Sequence, residues 1–230
     1  MKIPLSNRLL ACCDYVNQGD RVADVGCDHG YLGIHLLRGG VASSVIASDV
    51  NEQPLQSALH NAVKYGVKEK MAFYLSDGVW NIPREFDCLV CAGMGADTMI
   101  SIMEAAPWLK NAQYRLILQC QSRRPQLRAY LSAQGWRIRR ETLAKDGKFI
   151  YPVMEVVYEP GYPLTPAQTH ITPALLESGS SLLPDFLVRV VDGLRTTVEG
   201  LSRTGEGEKL SHYRQILAEL ETLDVISEQL

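Results

Sequence analysis

The chain has 230 residues, of which 46% are hydrophobic and 21% charged, with a formal net charge of −3. That balance excludes collagen-like repetition and wholesale disorder, and it fits one globular domain with an appendage. No apolar run approaches the roughly 18–20 residues that cross a bilayer, and the opening MKIPLSNRLLACCDYVNQGD turns polar too early for a signal peptide. The expectation is a cytoplasmic protein with no membrane partner.

Taken in chain order, Leu5–Val16 predicts a helix that packs on a sheet. From Arg21 to about Pro160, short β-branched runs alternate with amphipathic stretches, the rhythm of an α/β fold with a mostly parallel sheet. Strands are predicted over Arg21–Gly26, Ser44–Asp49, Met71–Leu75, Phe86–Ala92, Tyr114–Gln121, Trp136–Thr142 and Phe149–Tyr158. Between them, Tyr31–Leu37, Pro54–Tyr65, Thr98–Ala105 and Pro125–Ala133 carry helical spacing, with Asn51, Glu52 and Ser122 at the starts and Gly66 and Gly135 at the stops. After Pro160, four prolines precede two long helical patterns, Leu187–Leu201 and Leu210–Leu223, separated by Gly205 and Gly207. They predict a coiled-coil-like antiparallel hairpin packed on itself, so the chain divides into residues 1–160 and 161–230.

Six cysteines, at positions 12, 13, 27, 88, 91 and 120, lie mostly in apolar stretches and read as buried reduced thiols. Cys88 and Cys91 have the spacing of a metal knuckle, but on a strand they face opposite ways and no second pair complements them. No metal is predicted.

The most informative segment is Ala23-Asp-Val-Gly-Cys-Asp-His-Gly-Tyr-Leu32, a strand that ends in Asp24, Gly26 and Gly30 before a helix. Such a turn lets a nucleotide-like ligand approach the backbone. Asp49 ends the second strand, where a carboxylate takes ribose hydroxyls, and Val50 follows it. A dinucleotide fingerprint needs glycine at Asp28 and at Tyr31, and carboxylates beside a pyrophosphate repel it. S-adenosylmethionine has no phosphate and carries a sulfonium and an ammonium, which suit Asp24 and Asp28. Asp77-Gly78 after the third strand and Ala92-Gly-Met-Gly95 at the end of the fourth add two more turns on the same edge.

On these residues, with Leu116-Ile-Leu-Gln119, Asp146-Gly-Lys148 and the trailing hairpin, the sequence resembles the class I S-adenosylmethionine-dependent methyltransferases. More narrowly, it resembles the bacterial tRNA (adenine-22-N1)-methyltransferases, TrmK. The general class has glycine where Asp28 stands, while the narrower family shares the aspartate; the family's proline and asparagine after Gln119 are replaced by Cys120 and Gln121. The resemblance implies a Rossmann-like methyltransferase sheet, S-adenosyl-L-methionine as cofactor and methyl transfer to N1 of adenine-22 in the D-arm region of tRNA. It also implies cofactor contacts from Asp24, Gly26, Cys27, Asp28, His29, Gly30, Asp49, Val50, Asp77, Gly78, Ala92, Gly93 and Met94. Asp28 is the expected catalytic residue, with Asp97 second; Asp97 has an alternative use as a helix cap.

Gly95, Arg123, Arg124 and Arg128 are the expected RNA contacts. The three arginines begin a run that continues through Arg137, Arg139 and Arg140 with no acid among them, and it reads either as phosphate contacts or as a solvated face. Arg137 and Arg139 face away from Arg140 on a strand. His29 reads equally as a ligand contact or as a bond that closes the turn, and Asp146-Gly-Lys148 also reads as a plain hairpin turn. A monomer or weak homodimer is expected. The competing functions are methylation of another RNA position or a small molecule, nicotinamide-dependent redox chemistry, and RNA binding without catalysis.

Overall fold

The computed structural model describes residues 3–205 and 207–227. Helix α1 (Asn7–Cys13) is followed by β1 (Arg21–Val25), α2 (Tyr31–Arg38), β2 (Ser44–Asp49), α3 (Glu52–Lys64) and β3 (Met71–Leu75). Then come β4 (Cys88–Met94), α4 (Ala96–Glu104), β5 (Arg115–Cys120), α5 (Arg124–Ala133), β6 (Trp136–Asp146) and β7 (Phe149–Tyr158). The strands form one sheet in the order β3-β2-β1-β4-β5-β7-β6, with β7 alone running against its neighbours. This is the mostly parallel α/β sheet that the alternating pattern predicts.

The central strands are apolar on both faces because helices cover both. On β4 the alternation is explicit: Leu89 and Cys91 enter the core on one side of the sheet, and Cys88 and Val90 the other. All six cysteines are free and buried, and burial pushes the Cys91 thiol up to about 12. They are core residues, and no group of three or more metal-ligating side chains occurs among the described residues.

Several boundaries differ from the sequence reading by a few residues, and α1, β4 and β6 show why. Helix α1 is shorter at both ends, because Ser6 is its extended N-cap and Asp14 its C-cap. Strand β4 continues through Gly93 to Met94, since a bulge between Ala92 and Met94 lets Met94 still pair with Cys120. Strand β6 runs on to Asp146 because it pairs with β7 along its whole length. The Asp146-Gly-Lys148 segment is therefore the tip of a hairpin, with Gly147 at φ +59°.

Beyond Tyr158 the chain forms a short helix α6 (Pro173–Leu176) and the hairpin of α7 (Leu183–Thr204) and α8 (Gly207–Ser227). Gly205 ends α7 in the left-handed conformation, φ +74°. The hairpin packs on itself as predicted, but not only on itself. Leu187, Leu194, Ile216 and Leu220 share one apolar cluster with Leu143 and Ile150 from the β6–β7 ribbon and with Ile171 and Leu175 from the connecting segment.

One buried ionic node fixes that connection. Arg128, on α5, is 1% exposed and pairs with Glu141 on β6, while its Nη1 donates to the carbonyls of Thr169 (3.1 Å) and His170 (2.7 Å). Glu141 also accepts from the Thr172 hydroxyl, and Thr172 Oγ1 in turn accepts the Leu175 amide at 3.0 Å as the N-cap of α6. This corrects the expectation for Arg128, which is a buried tie between elements and not a surface phosphate contact. Removing one partner of such a pair strands a buried charge, which costs about 3–5 kcal/mol. Arg128→Met is therefore expected to lower unfolding stability by about that amount in denaturant titrations, and the double variant Arg128→Met/Glu141→Leu to recover most of the loss.

Candidate functional site

The carboxyl ends of β1 to β5 lie along one edge, and hydrogen bonds tie successive turns into a single surface. After β1, the amides of Gly26 and Cys27 donate to Ser48 O on β2 (2.8 and 2.9 Å). The Asp28 amide donates to Asp49 Oδ2 at 3.3 Å, and Ser76 N beyond β3 donates to Asp49 O at 2.9 Å. On the other side of β1, a Cβ on Gly26 would lie 2.4 Å from Met94 Cε. The Gln121 amide donates to Met94 O at 2.8 Å. Sequence order reverses between β1 and β4, and this is where an open α/β sheet forms its ligand crevice.

The first turn needs its glycines. Gly26 and Gly30 hold φ of +71° and +69°, and a Cβ on Gly30 would sit 2.9 Å from Ala58 Cβ. Asp28 is also left-handed, φ +51°, a conformation aspartate tolerates better than most residues. Its side chain is 72% exposed and points out of the turn, 3.6 Å from His29 Nε2. His29 closes the turn through its carbonyl, which accepts from Asn61 Nδ2 at 3.0 Å, while its ring stays half exposed. Cys27 is buried, and burial pushes its thiol well above the ordinary range.

Asp24 lies beneath this turn, 4% exposed, with Oδ2 buried and without a hydrogen-bond partner. Burial pushes its pKa up to about 7, the Gly33 amide pulls it down, and the charge of Asp49 adds to the rise. A buried carboxylate oxygen with no donor is a seat for a cationic or N–H group of a ligand. Asp49 accepts the Asn51 amide at 2.9 Å as well as that of Asp28, and Val50 beside it is 63% exposed. Asp77 is exposed over Gly78, whose φ of +56° and contact with Ile102 (2.9 Å from a Cβ) leave no room for a side chain. These features suit an adenosine with a positive charge at one end.

The fourth turn is crowded from below. The Gly93 amide donates to Gln119 Oε1 (3.1 Å), which also accepts from Arg8 Nη1 (2.9 Å), and a Cβ on Gly93 would lie 3.2 Å from the same Nη1. Gly95, the N-cap of α4, lies against Ser122, 2.9 Å from a Cβ, and Ala92 stays half-buried beside Gly93. The sequence reading places neither Arg8 nor Gln119 in the site. Nothing in the spacing of Arg8 signals that it reaches a glutamine 111 residues away.

The arginine run does not form a single basic face. Arg123 is exposed and pairs with Asp97 at 2.8 Å, and Gln126 donates to the other Asp97 oxygen. Asp97 is therefore not the helix cap, a position Gly95 fills. Arg124 is half-buried over the Phe186 ring, 5.3 Å from its centroid. Arg137 and Arg139 share Glu159, whereas Arg140 joins Arg115 on Glu155. A bulge between Ile138 and Arg140 breaks the expected alternation and pairs Arg140 with Glu155, two residues from the Val157 partner of Arg137, and carboxylates on β7 and just beyond it neutralise these three.

Residues 5–154 match the family model described as a methyltransferase domain. The chain is 31% identical over 149 residues to the tRNA (adenine(22)-N(1))-methyltransferase of Bacillus subtilis, covering 64% of this chain and 63% of that one. It spans about three fifths of the length of the curated relatives it matches. Its structure is similar to that of a Streptococcus agalactiae protein of the NADB-Rossmann superfamily, with TM-score 0.86, 26% identity and coverage of 97% and 99% of the two chains. It is also similar to a Streptococcus pneumoniae protein described as a candidate tRNA (m1A22) methyltransferase and crystallised with S-adenosyl-L-methionine. There the TM-score is 0.80, the identity 29%, and the coverage 93% of this chain and 99% of that one.

Asp24 gives a pH-dependent test. Its folded pKa of about 7 lies above the ordinary 3.8, so the folded state holds a proton there that the unfolded chain has lost. Stability contributed by Asp24 therefore falls as pH rises between those values and stays low above the upper one. Asp24→Asn is expected to match wild type in thermal unfolding below about pH 4, to gain on it progressively up to about pH 7 and to keep that gain above it, while losing affinity for a cationic ligand.

Proposed function

The chain belongs to the methyltransferase-domain family, and on that premise we propose that it transfers a methyl group from S-adenosyl-L-methionine to N1 of adenine-22 in the D-arm of tRNA. The observation that carries the reading is the partnerless, buried oxygen of Asp24 in a crevice that also presents Asp49, Val50 and Asp77. A pyrophosphate there would be repelled, whereas an ammonium would be held. When bound, S-adenosylmethionine supplies an electrophilic methyl group beside a cationic sulfur.

The residues of the chain do the rest. Asp24 and the backbone of Gly26, Cys27, His29 and Gly30 would hold the amino-acid end, and Asp49 the ribose hydroxyls with its remaining lone pairs. Val50 offers an apolar surface to the adenine ring, and Asp77 with the Gly78 backbone an acceptor to its amino group. The glycines of Ala92-Gly-Met-Gly95 let the target base come close to the backbone. N1 of adenine has an in-plane lone pair, so the protein's task is to align the extruded base and exclude water, with no strong base needed. Asp28, exposed at the turn, accepts from the exocyclic amine and offsets the positive charge that develops on the ring. Asp97 is less suited, because Arg123 and Gln126 occupy both of its oxygens. Arg123 at the mouth offers a phosphate contact. A tRNA substrate places the protein in the cytoplasm, a reducing compartment that matches six free cysteines.

Incubating the protein with S-adenosylmethionine and unmodified tRNA, followed by nucleoside mass spectrometry and primer extension, is expected to give 1-methyladenosine in the D-arm. Cofactor binding with no methylated nucleoside would overturn the tRNA reading. In the same assay Asp28→Asn, which preserves the left-handed turn, is expected to lower kcat about 100-fold; unchanged turnover would remove Asp28 from the mechanism.

A further inference from the structure

A cleft of about 510 Å³ opens between the sheet edge and the helical hairpin. It begins at Gln121, whose amide is bonded to Met94 O, and so adjoins the fourth turn of the site. Arg124 lines it from α5, Phe149 and Tyr151 from β7, and Arg189 from α7. None of its lining residues is acidic. Arg128 is deeper in the same wall and already neutralised by Glu141. Burial and the charge of Arg128 push His170, another lining residue, down to about 4, so it contributes a neutral ring.

Arg124 and Arg189 differ from the other arginines of this region, since neither meets a carboxylate among the described residues. Arg124, over the Phe186 ring, reaches the Ile150 carbonyl at 3.4 Å, and Arg189 reaches the Lys148 carbonyl at 2.8 Å. Burial and the neighbouring Arg128 both push Arg124 below its ordinary pKa, an unfavourable placement that an anion in the cleft relieves. Guanidinium groups match phosphate oxygens in geometry as well as charge. At the mouth, Phe149 is 52% exposed, 6.1 Å from Tyr151, and the Lys148 ammonium lies 5.3 Å from its ring centroid. An exposed aromatic ring beside cations is the usual platform for an unpaired base.

The geometry points to a second nucleotide subsite in this cleft: Arg124 and Arg189 hold one backbone phosphate of the RNA substrate, and Phe149 stacks on the base attached to it. The inference rests on the tRNA reading and adds to it where the RNA meets the hairpin. It also gives a use to the Asp146-Gly-Lys148 turn, which places Phe149 at the cleft mouth and the Lys148 carbonyl against Arg189.

The test is fluorescence-anisotropy binding of labelled tRNA over a range of salt concentrations, with cofactor affinity and thermal unfolding measured in parallel as checks on folding. Arg189 is exposed on a helix, where alanine is well tolerated. Arg189→Ala is expected to weaken tRNA binding about tenfold and to reduce the slope of log Kd against log salt by about one. Phe149→Ala is expected to weaken binding about tenfold at unchanged slope. Arg195→Ala serves as the control, since Arg195 lies on the same helix outside the cleft and pairs with Asp192 and Glu221; it is expected to bind as wild type.

Wild-type affinity and slope in Arg189→Ala, or an equal loss in Arg195→Ala, overturns the subsite. So does stabilisation of wild type but not Arg189→Ala by inorganic phosphate with tRNA affinity equal in both, which would mark a free-anion site. If tRNA binds with the predicted slopes but is not methylated, the subsite stands and the proposed activity fails. If 1-methyladenosine forms and Arg189→Ala has an unchanged KM for tRNA, the activity stands and the subsite fails.

Discussion

The position of β1 inside the sheet, with β2 on one side and β4 on the other, is the constraint on which the rest depends. Parallel strands buried on both faces leave no polar groups free except at their ends. Where sequence order reverses, the turns leaving β1 and β4 part and open a crevice. The chain fills that crevice with backbone rather than side chains, and the glycines that permit this are locked by close contacts on either side. Asp24 is consequently held below the turn, where the Gly33 amide supports its charge and Oδ2 has no hydrogen-bond partner among the described residues. A buried carboxylate oxygen so placed suits a cationic or N–H group better than an anion.

The glycine turns, their carboxylates and all seven strands were legible in the sequence because their causes are local. A positive φ, a β-branched run or a proline in a first helical turn needs no knowledge of distant residues. The arginines were not legible in the same way. Whether Arg123, Arg128 or Arg140 faces solvent or a carboxylate depends on Asp97, Glu141 and Glu155, and the distances to them are set by the α4–α5 contact and by the β6–β7 register. That register contains a bulge between Ile138 and Arg140, which no spacing rule reveals. Arg8 was missed for a similar reason: α1 is separated from β5 by most of the sheet in sequence and touches it only once the fold closes.

The hairpin of α7 and α8 reads in the sequence as an appendage, and its contacts make it part of the site's architecture. Its apolar seam includes Leu143 and Ile150, and the Arg128–Glu141 pair anchors the segment that leads into it. The hairpin thereby stands next to a cationic cleft without neutralising it, because none of its described carboxylates lines that cleft. Asp192 and Glu221, for example, are taken up by Arg195 on the hairpin itself.

The two-residue turn at Gly147 and Lys148 has a further consequence. Side chains along a ribbon alternate between faces, so inserting one residue at this turn would rotate the following strand by one face relative to its partner. Ile150 would leave the apolar cluster, and Phe149 would take its place in the seam against α7. A length change of a single residue would thus unseat a pair of helices that begin more than thirty residues later in the chain. Length variation is far less damaging in the proline-rich connection from Gly161 to Pro166, most of which is exposed and unpaired in the sheet. The fold therefore divides its loops into those whose length carries information about assembly and those that merely span a gap.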